Sequence, residues 1–140
     1  MASRYHEVYD GWKHDPESFW REAAKGVDWY RPFDAVFDAD DGVYGRWFAG
    51  GVCNTCYNAV DRHVDKGRAD QLALIHDSAM TGEVKTYTFR ELQREVVALA
   101  QVLRHHGVVK GDRVIVYMPM VAEALIAMLA CARLGAIHSV

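Results

Sequence analysis

Two cysteines separated by two residues, in Cys53-Asn54-Thr55-Cys56, have the spacing that zinc and dithiol redox sites use. A structural zinc takes four ligands, from two such pairs or from one pair plus spaced histidines, and no second pair occurs here. His63 stands alone further on. A redox dithiol opens a helix directly after a sheet strand, whereas Gly50-Gly51 precedes this pair. The expectation at Cys53 and Cys56 is therefore two small buried side chains. His63 has the chemistry of a general base, but no nucleophile or metal partner accompanies it. Like His76, His105, His106 and His138, it reads as a helix-end charge or a satisfied core histidine. Lys110-Gly111-Asp112 and Gly50-Gly51 invite comparison with phosphate-cradling glycines. Such a loop needs several glycines in fixed register between a strand and a helix, completed by Lys and Ser or Thr. Neither segment has these, and both read as turns. No nucleophile elbow, metalloprotease helix or dinucleotide fingerprint is present. The residue types alone nominate no catalytic, cofactor-binding or metal-binding side chain.

The elements that would position chemistry are clearer. Tyr5, Val8, Tyr9 and Trp12 recur at helical spacing. Asp15-Pro16-Glu17 combines a cap, a first-turn proline and an early acid, opening a second helix with Phe19, Trp20 and Ala23 on its buried side and an end at Gly26. Trp29 to Gly51 reads as extended segments broken by Pro32, Asp40-Asp41-Gly42 and Gly50-Gly51. That stretch makes little core of its own, so its aromatics are expected to clamp onto another surface. A helix follows from Asn54 as cap to Lys66, with Tyr57, Val60 and Val64 inward and Gly67 as its stop.

From Gln71 the character changes. Leu72 to Ile75 reads as a buried strand, Thr81-Gly82 as a hairpin turn and Val84 to Tyr87 as the return strand. Thr88-Phe89-Arg90-Glu91 is a capping box. The helix it opens carries Phe89, Leu92, Val96, Leu99 and Leu103 on one stripe and closes at His105-His106-Gly107. Arg113 to Met118 is an apolar strand, and Val121 to Leu134 a helix apolar nearly all round. Gly135 ends that helix, and Ala136 to Val140 begins another strand. Strand, helix, strand predicts a parallel crossover in a sheet buried on both faces. The fold class is thus α/β. A boundary is placed near residue 67, between an aromatic N-terminal extension (1–67) and the opening of an α/β domain (68–140).

The bulk properties fit a globular chain of 140 residues, 51% hydrophobic and 25% charged. A net charge of -3 gives no electrostatic reason for a nucleic-acid or anionic-membrane partner. Met1-Ala2-Ser3-Arg4-Tyr5-His6-Glu7 contains no apolar leader core, and the longest apolar run, Ala124 to Ala132, is about half of the roughly 18 residues that a membrane span needs. A cytoplasmic setting with Cys53, Cys56 and Cys131 reduced is expected. Val140 falls inside the last strand with no helix after it, which predicts a truncated domain.

Four stretches, in order, resemble the acetyl-/propionyl-CoA synthetase family of AMP-forming acyl-CoA synthetases. The first is Asp15-Pro16-Glu17-Ser18-Phe19-Trp20. The second runs from Arg46-Trp47-Phe48 through Asn54-Thr55-Cys56-Tyr57-Asn58-Ala59-Val60-Asp61-Arg62-His63, and looks more like the propionyl than the acetyl branch. The third is Thr88-Phe89-Arg90-Glu91-Leu92. The fourth spans Gly111 to Met120 and Met128 to Val140, and is the most specific. Ala122 departs from the family, which usually has proline there; alanine gives up some preorganisation of the helix start.

The resemblance implies the large N-terminal domain of an adenylate-forming ligase, preceded by an acetyl-CoA synthetase-type extension. It implies that a short-chain carboxylate, with propionate favoured, attacks the α-phosphate of ATP to give an acyl-adenylate and pyrophosphate. Coenzyme A then displaces AMP to give acyl-CoA. ATP, Mg2+ and CoA are the implied cofactors, and the remainder of the polypeptide is the implied partner. The first step needs a Ser/Thr/Gly-rich phosphate loop and the second a mobile domain bearing a lysine. Neither motif occurs here, so no catalytic, cofactor-binding or metal residue is carried over, and the segment alone is expected to be inactive and ligand-free. Three other readings stay open: an acetyl-CoA synthetase rather than a propionyl-CoA synthetase, a non-enzymatic α/β binding module working through its aromatic extension, and an independent small nucleotide-binding α/β protein.

Overall fold

A computed structural model describes residues 3–140; Met1 and Ala2, the first of the residues read above as lacking a leader core, lie outside the description. The chain divides into two compact units, one up to Cys53 and one from Asn54 to Val140.

In the first unit, helix α1 (Tyr5–His14) leads into α2 (Pro16–Ala23). Asp15 caps α2 as expected, its Oδ1 accepting from the Ser18 amide at 3.0 Å. A 3-10 turn (Ala24–Gly26) then tightens the helix and rotates the buried face by one position: Ala24 is 4% exposed, whereas Ala23, expected inward, faces solvent. Strands β1 (Ala35–Asp38) and β2 (Arg46–Ala49) pair antiparallel with Phe37 opposite Trp47, and Arg31 bridges Val52 beyond them. The aromatics pack on one another, with Trp29, Phe33 and Phe48 mutually in contact and Phe37 against Trp47. Among the described apolar residues of this unit, only Ala24 and Val36 are fully buried, which agrees with the small core expected of it.

The second unit opens on a helical segment, 55–65, that contains the π-helical turn Tyr57–Asp61 and runs into a second one, Val64–Arg68, broken at Gly67 with φ +81°. An antiparallel hairpin follows, β3 (Leu72–Ser78) with β4 (Glu83–Thr88), longer than expected and closed over Ala79 to Gly82. Helix α3 (Phe89–His105) begins at the capping box: the Glu91 amide donates to Thr88 Oγ1 at 3.3 Å and the Thr88 amide to Glu91 Oε2 at 2.8 Å. Strand β5 (Arg113–Ile115), helix α4 (Ala122–Leu134) and strand β6 (Ile137–Ser139) complete the unit, with β5 and β6 parallel and Val114 opposite His138.

The core lies between the helical segment, α3 and α4, and consists of Cys56, Val60, Leu92, Val96, Ala100, Ile126 and Ala130. Two burial expectations fail. Leu72 and Ile75 are 48% and 58% exposed, because α3 covers only one face of the hairpin. Ile115 is 80% and Ile137 57% exposed, because within this unit α4 packs on one side of the parallel pair only. Regular β5 pairing also stops at Ile115 rather than Met118. Val116 still donates to Ser139 O at 2.8 Å, and the backbone then leaves the strand toward Pro119.

Candidate functional site

The motif Asn54 to His63 folds into a polar knot that ties three helical elements together. Asn54 acts at two helix ends. Its Oδ1 accepts from the Tyr57 amide at 3.0 Å, capping the helical segment, while its Nδ2 donates to the carbonyls of Ala132 at 3.2 Å and Arg133 at 3.1 Å, closing the end of α4. Gly135, at φ +75°, supplies the left-handed residue that ends α4.

Asp61, about two turns further along, is the buried charge of the unit. Arg133 Nη1 donates to its Oδ2 at 2.8 Å and Nη2 to its Oδ1 at 2.9 Å, a two-pronged pairing. Gln93 Nε2 on α3 adds a third bond to Oδ1 at 2.8 Å. Burial pushes the Asp61 carboxyl up, but the bonds from Arg133 and Gln93 together outweigh it and hold the group below the usual aspartate value. Arg133 is raised in turn, first by its bond to Asp61.

Cys56 lies beside this pair, its Sγ 3.6 Å from Arg133 Nη1 and 4.0 Å from Asp61 Oδ2. Burial pushes its thiol up in spite of Arg133, leaving a poor nucleophile. Cys53 is exposed rather than buried: it sits at the end of the irregular segment, ahead of the helix that encloses Cys56. The described residues include no cluster of metal-ligating side chains. His63 packs its ring on Phe89 and lies with Nδ1 3.1 Å from Arg68 Nη1, at the helix end as expected. Lys110-Gly111-Asp112 is a turn whose atoms serve the fold: Gly111 donates to Gly135 O, and Asp112 Oδ2 accepts from the Val109 amide at 2.8 Å.

Chemistry in an open α/β sheet is placed outside the carboxyl ends of its parallel strands. Here that end is reached by the segment 116–121, where Tyr117, Met118 and Pro119 line an open hollow of about 370 Å³. Tyr117 and Met120 are almost wholly exposed. His76 on β3 anchors this segment, its Nε2 lying 3.2 Å from the Met120 carbonyl. Sequence reasoning found neither the Asp61–Arg133–Gln93 group nor the His76 anchor. Their members lie 72, 32 and 44 residues apart, and no local signal marks such pairs.

The knot joins the helical segment, α3 and α4, and the hollow opens beside the end of β5. What they belong to follows from comparison. Residues 5–59 match the family model described as acetyl-coenzyme A synthetase N-terminus, and residues 60–140 the model described as AMP-binding enzyme. The chain is 50% identical to propionate–CoA ligase of Escherichia coli strain K12, over 97% of its own length and 22% of that protein. It is 48% identical to the human acyl-CoA synthetase short-chain family member 3, mitochondrial, over 89% of its length and 18% of that protein. It is 48% identical to acetyl-coenzyme A synthetase of Xanthobacter autotrophicus, over 99% of its length and 22% of that protein. The solved acetoacetyl-CoA synthetase from Streptomyces lividans superposes with a TM-score of 0.81 at 30% identity, over 91% of this chain and 20% of that one. The chain therefore spans about a fifth of the length of the relatives it matches. The α/β fold and the relationship expected from the four sequence stretches both stand, and the chain belongs to the AMP-binding enzyme family, in its acyl-CoA synthetase branch.

Proposed function

We propose that this chain supplies the opening scaffold of an AMP-forming acid–thiol ligase that converts a short-chain carboxylate, ATP and CoA to acyl-CoA, AMP and pyrophosphate, with propionate as the favoured acid. The observation that carries the reading is the end-to-end match to propionate–CoA ligase, 50% identical over 97% of the chain. ATP, Mg2+ and CoA are the cofactors of the ligase as a whole. Within it, residues 1–67 serve as the N-terminal extension and residues 68–140 open the adenylation domain, with no catalytic, cofactor-binding or metal residue contributed by either. A cytoplasmic setting belongs to the reading and is supported by the three free thiols, Cys53, Cys56 and Cys131. No described helix is long and apolar enough to cross a membrane.

The test has two arms. In the first, the intact polypeptide carrying these residues is assayed for pyrophosphate release with ATP, Mg2+ and CoA, on propionate and on acetate. The expected result is a kcat/KM for propionate several-fold above that for acetate; a preference for acetate removes the propionate assignment, and no release with either removes the ligase reading. In the second arm the 140-residue chain alone is assayed on propionate, and turnover there overturns its role as scaffold.

A further inference from the structure

The segment 117–120 has little apolar anchorage. Tyr117 is 99% exposed, Met118 45% and Met120 95%. Pro119 offers no amide, and its carbonyl is taken locally by the Val121 amide at 2.8 Å. Behind the segment, Val116 is tied to β6 through Ser139 O. In front of it, Val121 begins α4 without a side-chain cap. What fixes the path between is the ring of His76, placed by the hairpin on the same strand face as Leu74, which packs on the core. A carbonyl oxygen only accepts, so Nε2 is the protonated nitrogen in the bond to Met120, at 3.2 Å. Nδ1 is buried and has no partner in the protein. The ring as a whole is partly buried, with Nδ1 on its enclosed side, so the bond from Nε2 to the Met120 carbonyl is the polar contact that orients it.

We propose that His76 is a positioning residue: through its bond to the Met120 carbonyl it fixes the wall Tyr117–Met118–Pro119 at the carboxyl end of β5, and so sets substrate affinity in the ligase. The proposal rests on the ligase reading above and deepens it. His76 touches no substrate and transfers no proton in this role; it acts through the backbone of Met120. Its loss therefore weakens binding and spares the chemical step.

The experiment compares His76→Leu, which has no donor, His76→Phe, which keeps ring size without a donor, and His76→Gln, whose amide N–H2 restores one. In the intact ligase, Leu and Phe are expected to raise KM for at least one of carboxylate, ATP and CoA by three- to tenfold, with kcat changed less than twofold and Gln returning KM close to the parent. Unchanged KM values in Leu and Phe, a fall in kcat at constant KM, or a Gln variant as impaired as Leu each overturn the proposal. A second readout does not depend on ligase activity. In the 140-residue chain, the Val116 and Val121 amides, bonded to Ser139 O and Pro119 O on either side of the segment, are expected to exchange hydrogen at least fivefold faster in His76→Leu than in the parent, and unchanged exchange overturns the anchor. Should the intact polypeptide make no acyl-CoA, the ligase reading fails while the exchange measurement still decides whether His76 anchors the segment.

Discussion

Arg133 near the end of α4 grips both carboxylate oxygens of Asp61, at 2.8 and 2.9 Å, across 72 residues of sequence. The Asp61 side chain is 9% exposed and that of Arg133 30%. Removing one partner of such a pair strands the other in a poorly hydrated place, at about 3–5 kcal/mol for a fully enclosed pair. Partial solvation of Arg133 argues for the low end. Arg133→Met is therefore expected to cost about 3 kcal/mol in urea unfolding, and Asp61→Leu with Arg133→Met together far less than the sum of the two single changes. Strict additivity would show that the pair is not coupled.

The same carboxylate gives a pH dependence with a definite sign. Asp61 binds protons less readily folded than unfolded, so its contribution is complete above the ordinary aspartate value of about 3.9 and is lost as pH falls through the lower folded value. Asp61→Asn should flatten the acid limb of a stability-against-pH curve and leave its slope near neutrality unaltered. An identical acid limb in parent and variant would refute the assignment.

Asn54 distinguishes capping from bridging. At an exposed helix start, aspartate caps about as well as asparagine. Here the Asn54 amide nitrogen also donates to the carbonyls of Ala132 and Arg133, at the negative end of α4. Asn54→Asp keeps the acceptor for Tyr57 but turns an oxygen toward two carbonyl oxygens. It should destabilise the chain by about 2 kcal/mol, at least as much as Asn54→Ala. A neutral Asp variant would show that the bridge to α4 contributes nothing.

These two residues mark where the sequence could be read and where it could not. The capping box Thr88–Glu91, the Asp15 cap and the glycine stops are local, since each joins residues within one turn whose types state their role. Asn54 was legible as a cap for the same reason. Its second partner is about 78 residues away, and Asp61 looks like any surface acid until α4 is folded over it. Burial was misread at Ile115 and Leu72 because an apolar strand says that a face can be covered, not which element covers it. The site was silent in the residue types because backbone carbonyls, at Met120 and Ala132, do much of the positioning, and every residue has one.

Gly135 couples the end of α4 to the start of β6. Its φ of +75° is unfavourable for any residue with a Cβ, and a Cβ there would lie 3.0 Å from Lys110 Cγ. The Lys110 side chain can swing aside, so the cost is chiefly conformational. Gly135→Ala should lose about 1 kcal/mol, while Gly135→Asn, which tolerates the left-handed region, loses less. The order of the two variants in thermal unfolding checks the backbone origin; equal losses would point to the contact with Lys110 instead.

Thiol reactivity separates the two cysteines that share a motif. Cys53 is exposed, whereas Cys56 and Cys131 are buried, and burial pushes the thiols of both up. The thiolate is the reactive form, so both burial and proton affinity protect Cys56 and Cys131. Under native conditions a disulfide reagent should titrate one thiol per chain quickly, and Cys53→Ser should abolish that phase; the other two thiols should react only as fast as the unit from Asn54 to Val140 opens. Arg133→Met should then accelerate labelling of Cys56 more than that of Cys131, because it loosens the knot that encloses Cys56. Equal rates for all three thiols in the folded chain would contradict the burial of Cys56, and with it the packing that places Asp61 against Arg133.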